Sequence, residues 1–138
     1  MDYTIRIINE LTGTQAVELL ELFAGADFAE LNDGTEWLNA AIKGSMLAAG
    51  AFAADGTLIG FARVLGDGVS DCYIQDVTVR SDCRKQGIGR KIVKFLIAEL
   101  HSRNIDWIGL IATPGKADFY RQMGFEAMSG FTPMRLKE

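Results

Sequence analysis

The segment formed by residues 84–90 places basic side chains beside two glycines, directly before a stretch with helical apolar periodicity. It consists of Arg84, Lys85, Gln86, Gly87, Ile88, Gly89 and Arg90. The first amide N–H groups of a helix have no intrahelical acceptor, and the helix dipole is positive at that end. Gly87 and Gly89 have no Cβ, so a ligand can approach their backbone closely, while the cationic side chains can bind phosphate oxygens. The segment therefore predicts an anion site suited to a pyrophosphate group.

The residues of this segment alone also allow a plainer interpretation. Two glycines at a basic helix start can serve the backbone conformation only, with the cations in water, and this alternative stays open. A dinucleotide-binding fingerprint, G-x-G-x-x-G, is excluded because Ile92 stands where the third glycine is required. A phosphate-loop NTPase is excluded because the chain contains no G-x-x-x-x-G-K-[ST] sequence.

The distribution of charge favours one local anionic ligand. The whole chain has a net charge of −4 and a pI near 5.0, which argues against nucleic acid or a membrane surface as its partner. Residues 80–94 nevertheless contain six basic residues and one acidic residue. A basic cluster on an acidic protein is typical of a single bound anion rather than of a polyanion followed across a surface.

The elements that hold this segment can be predicted from periodicity and turn residues. Thr12 and Gln15 form a capping-box sequence at the start of a helix, and Asp55-Gly56 supplies the turn of an antiparallel hairpin. A long helix is predicted from residue 88 to about residue 102, and a shorter one over 115–123. The predicted strands are residues 4–8, 46–53, 58–65, 71–79, 107–111 and 134–137.

This order of elements predicts the α/β (α+β) class, with a mixed central β-sheet flanked by helices and with residues 1–138 as a single domain. The strand-helix-strand unit around the anion segment implies a parallel pair with a right-handed crossover. The chain shows no apolar run long enough for a bilayer and no signal-peptide pattern, so we expect a soluble cytoplasmic protein without membrane contact. Cys72 and Cys83 lack the spacing of a zinc site, and no metal is expected.

Three stretches of the sequence resemble signatures of one known family. Residues 84–89 match [RQ]-x-x-G-x-[GA], residues 74–79 resemble the family's central strand, and residues 119–125 resemble its L-Y-x-x-x-G-F signature. On these motifs the chain resembles the GNAT family of N-acetyltransferases along nearly its whole length. The resemblance implies the acyl-CoA N-acyltransferase (GNAT) fold, acetyl-CoA as co-substrate and an amine as acetyl acceptor. It also implies a homodimer, because family members often dimerise.

The resemblance further assigns roles on both sides of the anion segment. It implies that residues 84–90 hold the pyrophosphate and that three strand residues pair through their backbone with the pantetheine arm: Val77, Thr78 and Val79. A backbone N–H near Val77 or Thr78 is the candidate for polarising the thioester carbonyl. Tyr120 is the candidate acid for the departing thiolate, its alternative role being that of a core aromatic. Asp76 is the candidate to accept the amine proton through a water or to attract an ammonium group, and Tyr73 is a second candidate on the same strand. The alternative for Asp76 is a strand carboxylate satisfied by amides or solvent.

The acceptor is predicted to be a small cationic amine, because acidic residues dominate one part of the chain. Between Ile7 and Ile42 there is no Lys or Arg, and there are seven acidic residues: Glu10, Glu18, Glu21, Asp27, Glu30, Asp33 and Glu36. Carboxylates can concentrate and steer an ammonium group, although the solvated outer faces of two helices show the same pattern. Two other functions stay open. A protein or peptide N-acetyltransferase needs an open peptide groove, and a non-catalytic acyl-CoA-binding module needs the glycines but not Tyr120.

Overall fold

The computed structural model describes residues 1–137, which form five strands and four α-helices. Along the chain these are β1 (Tyr3–Ile7), α1 (Gly13–Gly25), α2 (Glu36–Gly44), β2 (Leu47–Ala53), β3 (Leu58–Gly66), β4 (Asp71–Val79), α3 (Ile88–Ser102), β5 (Trp107–Leu110) and α4 (Ala117–Arg121). Short 3-10 turns lie at Leu31–Asp33 and Ser81–Cys83. None of the helices within residues 1–137 is long and apolar enough to cross a membrane.

The strands form one mixed sheet in the order β1-β2-β3-β4-β5. Neighbouring strands are antiparallel except β4 and β5, which are parallel and are connected by α3. α3 packs on one face of the sheet, whereas α1 and α2 pack on the other, so each face has its own buried apolar cluster. The predicted mixed sheet flanked by helices is confirmed.

An apolar stripe fixes α3 on the sheet. Its buried side chains are Ile88, Ile92, Val93, Leu96 and Leu100, each at most 1% exposed. They recur at helical spacing, and burying one such side chain stabilises the fold by about 1.5–3 kcal/mol. The stripe therefore fixes the N-terminus of α3, which is where the anion segment enters the helix. The predicted helix from residue 88 to residue 102 is confirmed.

The local capping and turn signals are also confirmed. Thr12 Oγ1 accepts a hydrogen bond from the Gln15 N–H at 3.1 Å, and Gln15 Oε1 accepts one from the Thr12 N–H at 3.0 Å. These two bonds complete the capping box of α1. Gly56 has a φ of 90° in the turn between β2 and β3, a conformation that a residue without Cβ adopts readily.

The predicted closing strand over residues 134–137 is wrong. The structure has no strand between α4 and Lys137, so one edge of β5 keeps no partner within the described chain. The chain turns at residues 128–131, where the Phe131 N–H donates to the Met128 carbonyl at 3.1 Å and Gly130 has a φ of 82°. The residues that follow this turn, 131–137, are exposed and pair with no strand of the described chain.

Candidate active site

The candidate site begins where β4 and β5 separate. The two strands are paired only over residues 71–74 of β4. β5 ends at Leu110, whereas β4 continues to Val79. The outer edge of β4 over residues 75–79 therefore borders an open wedge, and backbone groups at this edge are available to a ligand.

A β-bulge interrupts the pairing of β3 with β4 at Asp76. Arg63 pairs with Gln75 and Phe61 pairs with Thr78, so one residue of β3 lies opposite two residues of β4. Asp76 has a left-handed φ of 59°, and its Oδ2 accepts a hydrogen bond from Arg63 Nε at 2.6 Å. Their side chains are 21% and 20% exposed, which makes this a partly buried ion pair. The pair holds the bulge that sets the direction of the strand beyond it.

Two backbone N–H groups of β4 point into the wedge beyond this bulge. Arg80 donates its N–H to the Ile59 carbonyl of β3 at 2.8 Å. Successive residues of an extended strand direct their backbone groups to opposite edges, so Val79 and Val77 direct theirs away from β3. In agreement, the Val79 carbonyl accepts a hydrogen bond from Arg84 Nε at 3.0 Å on that side. Of the three predicted strand residues, these two face the wedge.

The third, Thr78, joins β4 to α1. Its backbone pairs with Phe61 of β3, and its hydroxyl donates to the Leu22 carbonyl at 3.3 Å. The residue is 5% exposed, so this bond satisfies a buried hydroxyl. It fixes the C-terminal part of α1 beside the strand that borders the wedge.

The anion segment presents a run of free amides at the end of β4. Within residues 1–137, no acceptor receives a hydrogen bond from the amide N–H groups of residues 84–90. The helical ladder starts with Lys91, whose N–H donates to the Gly87 carbonyl at 3.0 Å. Lys85 and Gly87 have left-handed φ angles of 63° and 81°, and such residues turn successive amides toward a common point. The segment thus has the backbone geometry of an anion site.

Gly89 marks the point where three elements of the site converge. A Cβ placed on Gly89 would lie 3.4 Å from Phe119 Cζ of α4 and 3.5 Å from Val79 Cγ2 of β4. The start of α3, the end of β4 and α4 are therefore in contact at this residue. The glycine permits this close approach, which brings Tyr120 and the wedge to the same side of the sheet as α3.

Tyr120 packs between two other aromatic rings. Its ring centroid lies 4.9 Å from that of Phe119 and 5.8 Å from that of Phe125, both in edge-to-face geometry. The side chain joins the apolar cluster that also contains Val77 and Val79. Burial raises the pKa of the Tyr120 phenol above its usual 10.0, because the charged phenolate loses hydration. The phenol is therefore a proton donor, not a base, at neutral pH.

The opposite face of the sheet carries an aromatic cluster beside exposed carboxylates. The ring of Phe23 lies 5.6 Å from that of Phe61, 6.0 Å from that of Trp37 and 6.2 Å from that of Phe28. Phe28 and Trp37 keep more than a third of their surface exposed. Four predicted acidic residues lie exposed around the connection from α1 to α2: Asp27, Glu30, Asp33 and Glu36. This connection thus offers both aromatic surface and negative charge to solvent.

A cleft of about 370 Å³ lies between α1 and the end of β4. Glu18 and Glu21 line it together with Arg80 and Arg84. Glu18 also accepts a hydrogen bond from the Leu58 N–H at 3.2 Å. The cleft thus presents two carboxylates and two guanidinium groups beside the end of β4.

Sequence reasoning missed Arg63 and the packing of Phe23 and Phe61 against the aromatic pair Phe28 and Trp37. Arg63 stands inside the apolar strand β3, and a charged residue in such a strand signals that a partner must exist. That partner, Asp76, lies 13 residues away and was identified for other reasons. The cluster around Phe23 carries no signal along the chain, because its members come from α1, α2, β3 and a connection.

Comparisons with known proteins agree with this geometry. The chain matches the acetyltransferase (GNAT) domain family over residues 48–127. Serotonin N-acetyltransferase 2, chloroplastic, from Oryza sativa subsp. japonica is 34% identical over 117 residues, which cover 83% of this chain. An uncharacterized N-acetyltransferase, ycf52, from Gracilaria tenuistipitata var. liui is 37% identical over 68 residues, or 49% of this chain. The solved structure of a GNAT-family acetyltransferase from Streptococcus pneumoniae TIGR4 superposes with a TM-score of 0.80 at 26% identity, covering 99% of this chain and 98% of that one.

The extent of these matches differs between the two kinds of comparison. The aligned parts span 58% and 37% of the two curated relatives, whereas the structural match spans nearly the whole of both chains. The family match includes the bulge at Asp76, the anion segment and Tyr120. The chain therefore belongs to the GNAT family of acetyltransferases.

Proposed function

We propose that this chain is an N-acetyltransferase that moves the acetyl group of acetyl-CoA to the amine of a small cationic acceptor, by direct attack in a ternary complex. Members of the GNAT family use acetyl-CoA as co-substrate. The observation that carries the proposal is that the free amides of residues 84–90 lie beside the open edge of β4. The amides suit a pyrophosphate and the open edge suits an extended arm with amide groups, and CoA combines the two.

Each predicted binding residue has a defined part in this proposal. The pyrophosphate oxygens bind the amide N–H groups of residues 84–90, including those of Gln86 and Ile88, whose side chains are not needed. The side chains of Arg84, Lys85 and Arg90 add charge, and Gly87 and Gly89 leave room for the ligand. The pantetheine arm lies along β4 and pairs with Val77 and Val79 as an added strand does.

The chemical step then occurs near the bulge. The amine nitrogen attacks the thioester carbonyl carbon, and the Val77 N–H stabilises the negative charge on the carbonyl oxygen of the tetrahedral intermediate. The carbon–sulfur bond breaks as the intermediate collapses, and the Tyr120 hydroxyl gives its proton to the departing thiolate. The ammonium group of the acceptor first loses one proton to solvent through Asp76, which frees the lone pair for the attack, and the nitrogen loses a second proton by the same route after the attack. Tyr120 regains its proton from solvent. The products are the acetylated amine and CoA with a free thiol.

Asp76 has one carboxylate oxygen available for this proton transfer. Oδ2 is bound to Arg63, whereas Oδ1 receives no hydrogen bond from the described residues 1–137. With a fifth of its side chain exposed, Asp76 can reach the amine through one water. The structure also gives this residue a second task, since its left-handed backbone conformation is part of the bulge.

A substitution at Asp76 is expected to separate these two tasks. Asn accepts a left-handed conformation, and its amide oxygen can still accept a hydrogen bond from Arg63 Nε, so Asp76→Asn should keep the bulge and lose the carboxylate. We expect this variant to lower kcat/KM on the order of 10²-fold, as measured by thiol release at low amine concentration. If Asp76→Asn keeps the wild-type kcat/KM, Asp76 serves the backbone alone and another group accepts the proton.

The acceptor side of the proposal rests on the connection from α1 to α2. Its exposed carboxylates attract an ammonium group, and the exposed faces of Phe28 and Trp37 provide stacking or cation–π surface. Serotonin, the amine in the name of the rice relative, joins an ammonium group to an aromatic ring. Amines of this type match both the carboxylates and the aromatic surface, so they are the first candidate acceptors to test.

Release of the CoA thiol from acetyl-CoA across an amine panel tests the proposed function. The panel contains arylalkylamines, aliphatic diamines, neutral aromatic alcohols and lysine peptides. We expect turnover with the cationic small amines, and the triple variant Asp27→Asn, Glu30→Gln, Asp33→Asn should raise their KM several-fold. Their kcat/KM should also fall as ionic strength rises beyond about 0.1 M, where the screening length is near 10 Å.

A matched control removes three exposed carboxylates elsewhere: Asp2→Asn, Asp106→Asn and Glu126→Gln. This variant should keep the wild-type KM and salt dependence. If the two triple variants have the same KM and the same salt dependence, the carboxylates between α1 and α2 are only solvated surface groups. The class of acceptor then stays open. Turnover restricted to lysine peptides would establish the protein or peptide N-acetyltransferase, and CoA binding without thiol release would establish the non-catalytic module.

The cytoplasmic location expected from the sequence stays a prediction. The rice relative is named as chloroplastic, which is a statement about that protein. Fractionation with an antibody to this chain decides the question.

A further inference from the structure

Arg63 lies on the face of the sheet that carries α1 and α2. Phe61, two residues earlier in β3, belongs to the buried cluster of that face, whereas Ala62 and Val64 belong to the cluster under α3. Successive residues of a strand alternate between the two faces, so Arg63 shares the face of Phe61. Its side chain is only 20% exposed, and a cation in such surroundings needs partners that hold it.

The bulge in β4 brings Asp76 to the same face. Ile74 and Val77 both belong to the cluster under α3, although they are three residues apart. Regular alternation would place Asp76, two residues after Ile74, on that face as well. The inserted residue changes this, and Asp76 Oδ2 lies 2.6 Å from Arg63 Nε. The carboxylate therefore lies on the side of α1 and α2, which is the side of the proposed acceptor.

The same guanidinium also contacts the end of α2. Arg63 Nη1 donates to Ser45 Oγ at 3.4 Å, and Ser45 Oγ donates to the Ala41 carbonyl at 2.7 Å. Ser45 is the residue that caps the C-terminus of α2. A guanidinium is planar and its N–H groups have fixed directions, so bonds from two of its nitrogens define its orientation. Arg63 thus connects the last turn of α2 to the carboxylate of Asp76.

We propose that Arg63 is a positioning residue for the acetyl transfer: anchored at the end of α2, its guanidinium holds Asp76 by Oδ2 and directs Oδ1 toward the acceptor nitrogen. This role rests on the proposed function, because Arg63 acts only through the carboxylate that accepts the proton. Each proton that leaves the acceptor nitrogen passes through one water to Oδ1 and on to solvent, so Asp76 returns to its starting form. Arg63 keeps its own protons, since a guanidinium is not deprotonated in proteins.

A double-mutant cycle between Arg63 and Asp76 tests this role. Arg63→Lys keeps the positive charge but loses the planar fork, so it should pair with Asp76 without fixing the direction of the carboxylate. We expect it to lower kcat/KM for the best amine about 10-fold, a part of the usual contribution of a positioned base, and to leave the Kd of acetyl-CoA unchanged. In a chain that already carries Asp76→Asn, the same change should lower kcat/KM at most about twofold, because no carboxylate is left to direct.

The cycle distinguishes this role from simple support of the bulge. In Asp76→Asn the amide oxygen can still accept a hydrogen bond from Arg63, so a residue that only held the bulge would matter equally there. An equal loss of kcat/KM with Asp76 and with Asp76→Asn therefore overturns the proposal. Unchanged kcat/KM in Arg63→Lys overturns it too, as does unchanged kcat/KM in Asp76→Asn.

Ser45→Ala is a milder second variant, which decides the question if Arg63→Lys does not fold. It keeps both charges and removes only the contact of Nη1, so kcat/KM should fall about threefold with Asp76 and stay constant with Asp76→Asn. A loss of the same size in both chains, or no loss in either, contradicts the anchoring at α2.

The matched control is the ion pair of Arg103 and Glu99 at the C-terminal end of α3, with 4.0 Å between Nη2 and Oε2. Arg103→Lys and Glu99→Gln make the corresponding exchanges, and both variants and their combination should keep the wild-type kcat/KM. A different result contradicts the proposed function itself, namely a wild-type chain that releases no thiol with any amine. That result would remove the role of Arg63 as well, whereas a failed cycle in an active enzyme removes the role of Arg63 alone.

Discussion

The double variant Arg84→Glu, Gly87→Val is expected to bind acetyl-CoA roughly 10²-fold more weakly than the wild-type chain. Losing one charge-assisted contact costs about 1.5–3 kcal/mol, and each 1.4 kcal/mol corresponds to a factor of ten in Kd. At Gly87 the φ of 81° disfavours Val, whose branched side chain would also stand among the free amides. Isothermal titration calorimetry with acetyl-CoA and with CoA measures the effect.

The fold should survive these two changes. Arg84 and Gly87 are exposed, and a Cβ on Gly87 meets no atom within 4 Å. The matched control is Arg103→Glu with Gly44→Val, which makes the same exchanges at exposed positions outside the anion segment. Gly44 also offers open space, and its φ is not left-handed. If the Arg84 and Gly87 variant binds acetyl-CoA with wild-type affinity, residues 84–90 are not the pyrophosphate site.

The second large effect is expected for Tyr120→Phe, which should bind acetyl-CoA normally and lose turnover by about 10²-fold or more, the usual contribution of a positioned acid. Phe keeps the ring contacts with Phe119 and Phe125 and removes only the hydroxyl. Calorimetry measures binding, and thiol release at saturating amine measures kcat. Unchanged kcat across the pH range would mean that water or another group protonates the thiolate.

The raised pKa of Tyr120 gives this prediction a pH signature. Burial favours the neutral phenol in the folded chain, so the wild-type kcat should fall only above pH 10.0, as the phenol ionises. The same raised pKa also makes the free energy of unfolding depend on pH. The folded pKa exceeds the unfolded one, so the contribution is present below the unfolded pKa and is lost as pH rises through the folded pKa. Chemical denaturation should show this alkaline loss for the wild type and not for Tyr120→Phe.

Tyr3→Phe is the control for removing a phenol. The Tyr3 hydroxyl is buried on β1 and has no hydrogen-bond partner among the described residues, so its removal should leave stability unchanged or slightly higher. Tyr3 packs with the other residues of the α3 face, on β1, which three strands separate from β5 in the sheet. Its kcat and pH profile should match those of the wild-type chain.

Much of the framework could be predicted because its causes are local. The capping box of α1 needs only Thr12 and Gln15, three residues apart, and the hairpin turn needs only Asp55 and Gly56. The apolar stripe on α3 follows from apolar residues that recur at helical spacing in the sequence itself. The free amides of residues 84–90 follow from a helix that starts beside glycine, so the anion segment was visible in the linear chain.

Tertiary structure decided how the wedge is built. The bulge at Asp76 depends on pairing with β3 and on the ion pair with Arg63, two residues that no local rule connects. Whether Val77 or Thr78 faces the wedge follows from the register of that pairing, because a shift of one residue exchanges the two edges. The raised pKa of Tyr120 likewise arises from burial, which only packing creates.

The predicted closing strand over residues 134–137 also shows that strand pairing cannot be predicted from local sequence. Its alternating residues predict a strand, and the sequence by itself determined that tendency. A strand exists only when another strand supplies its hydrogen bonds, and no strand of the described chain pairs with this segment. The sequence thus determined the anion segment and the helix that presents it. Only the tertiary structure decided which strand edges stay open, because strand pairing joins residues that are distant along the chain.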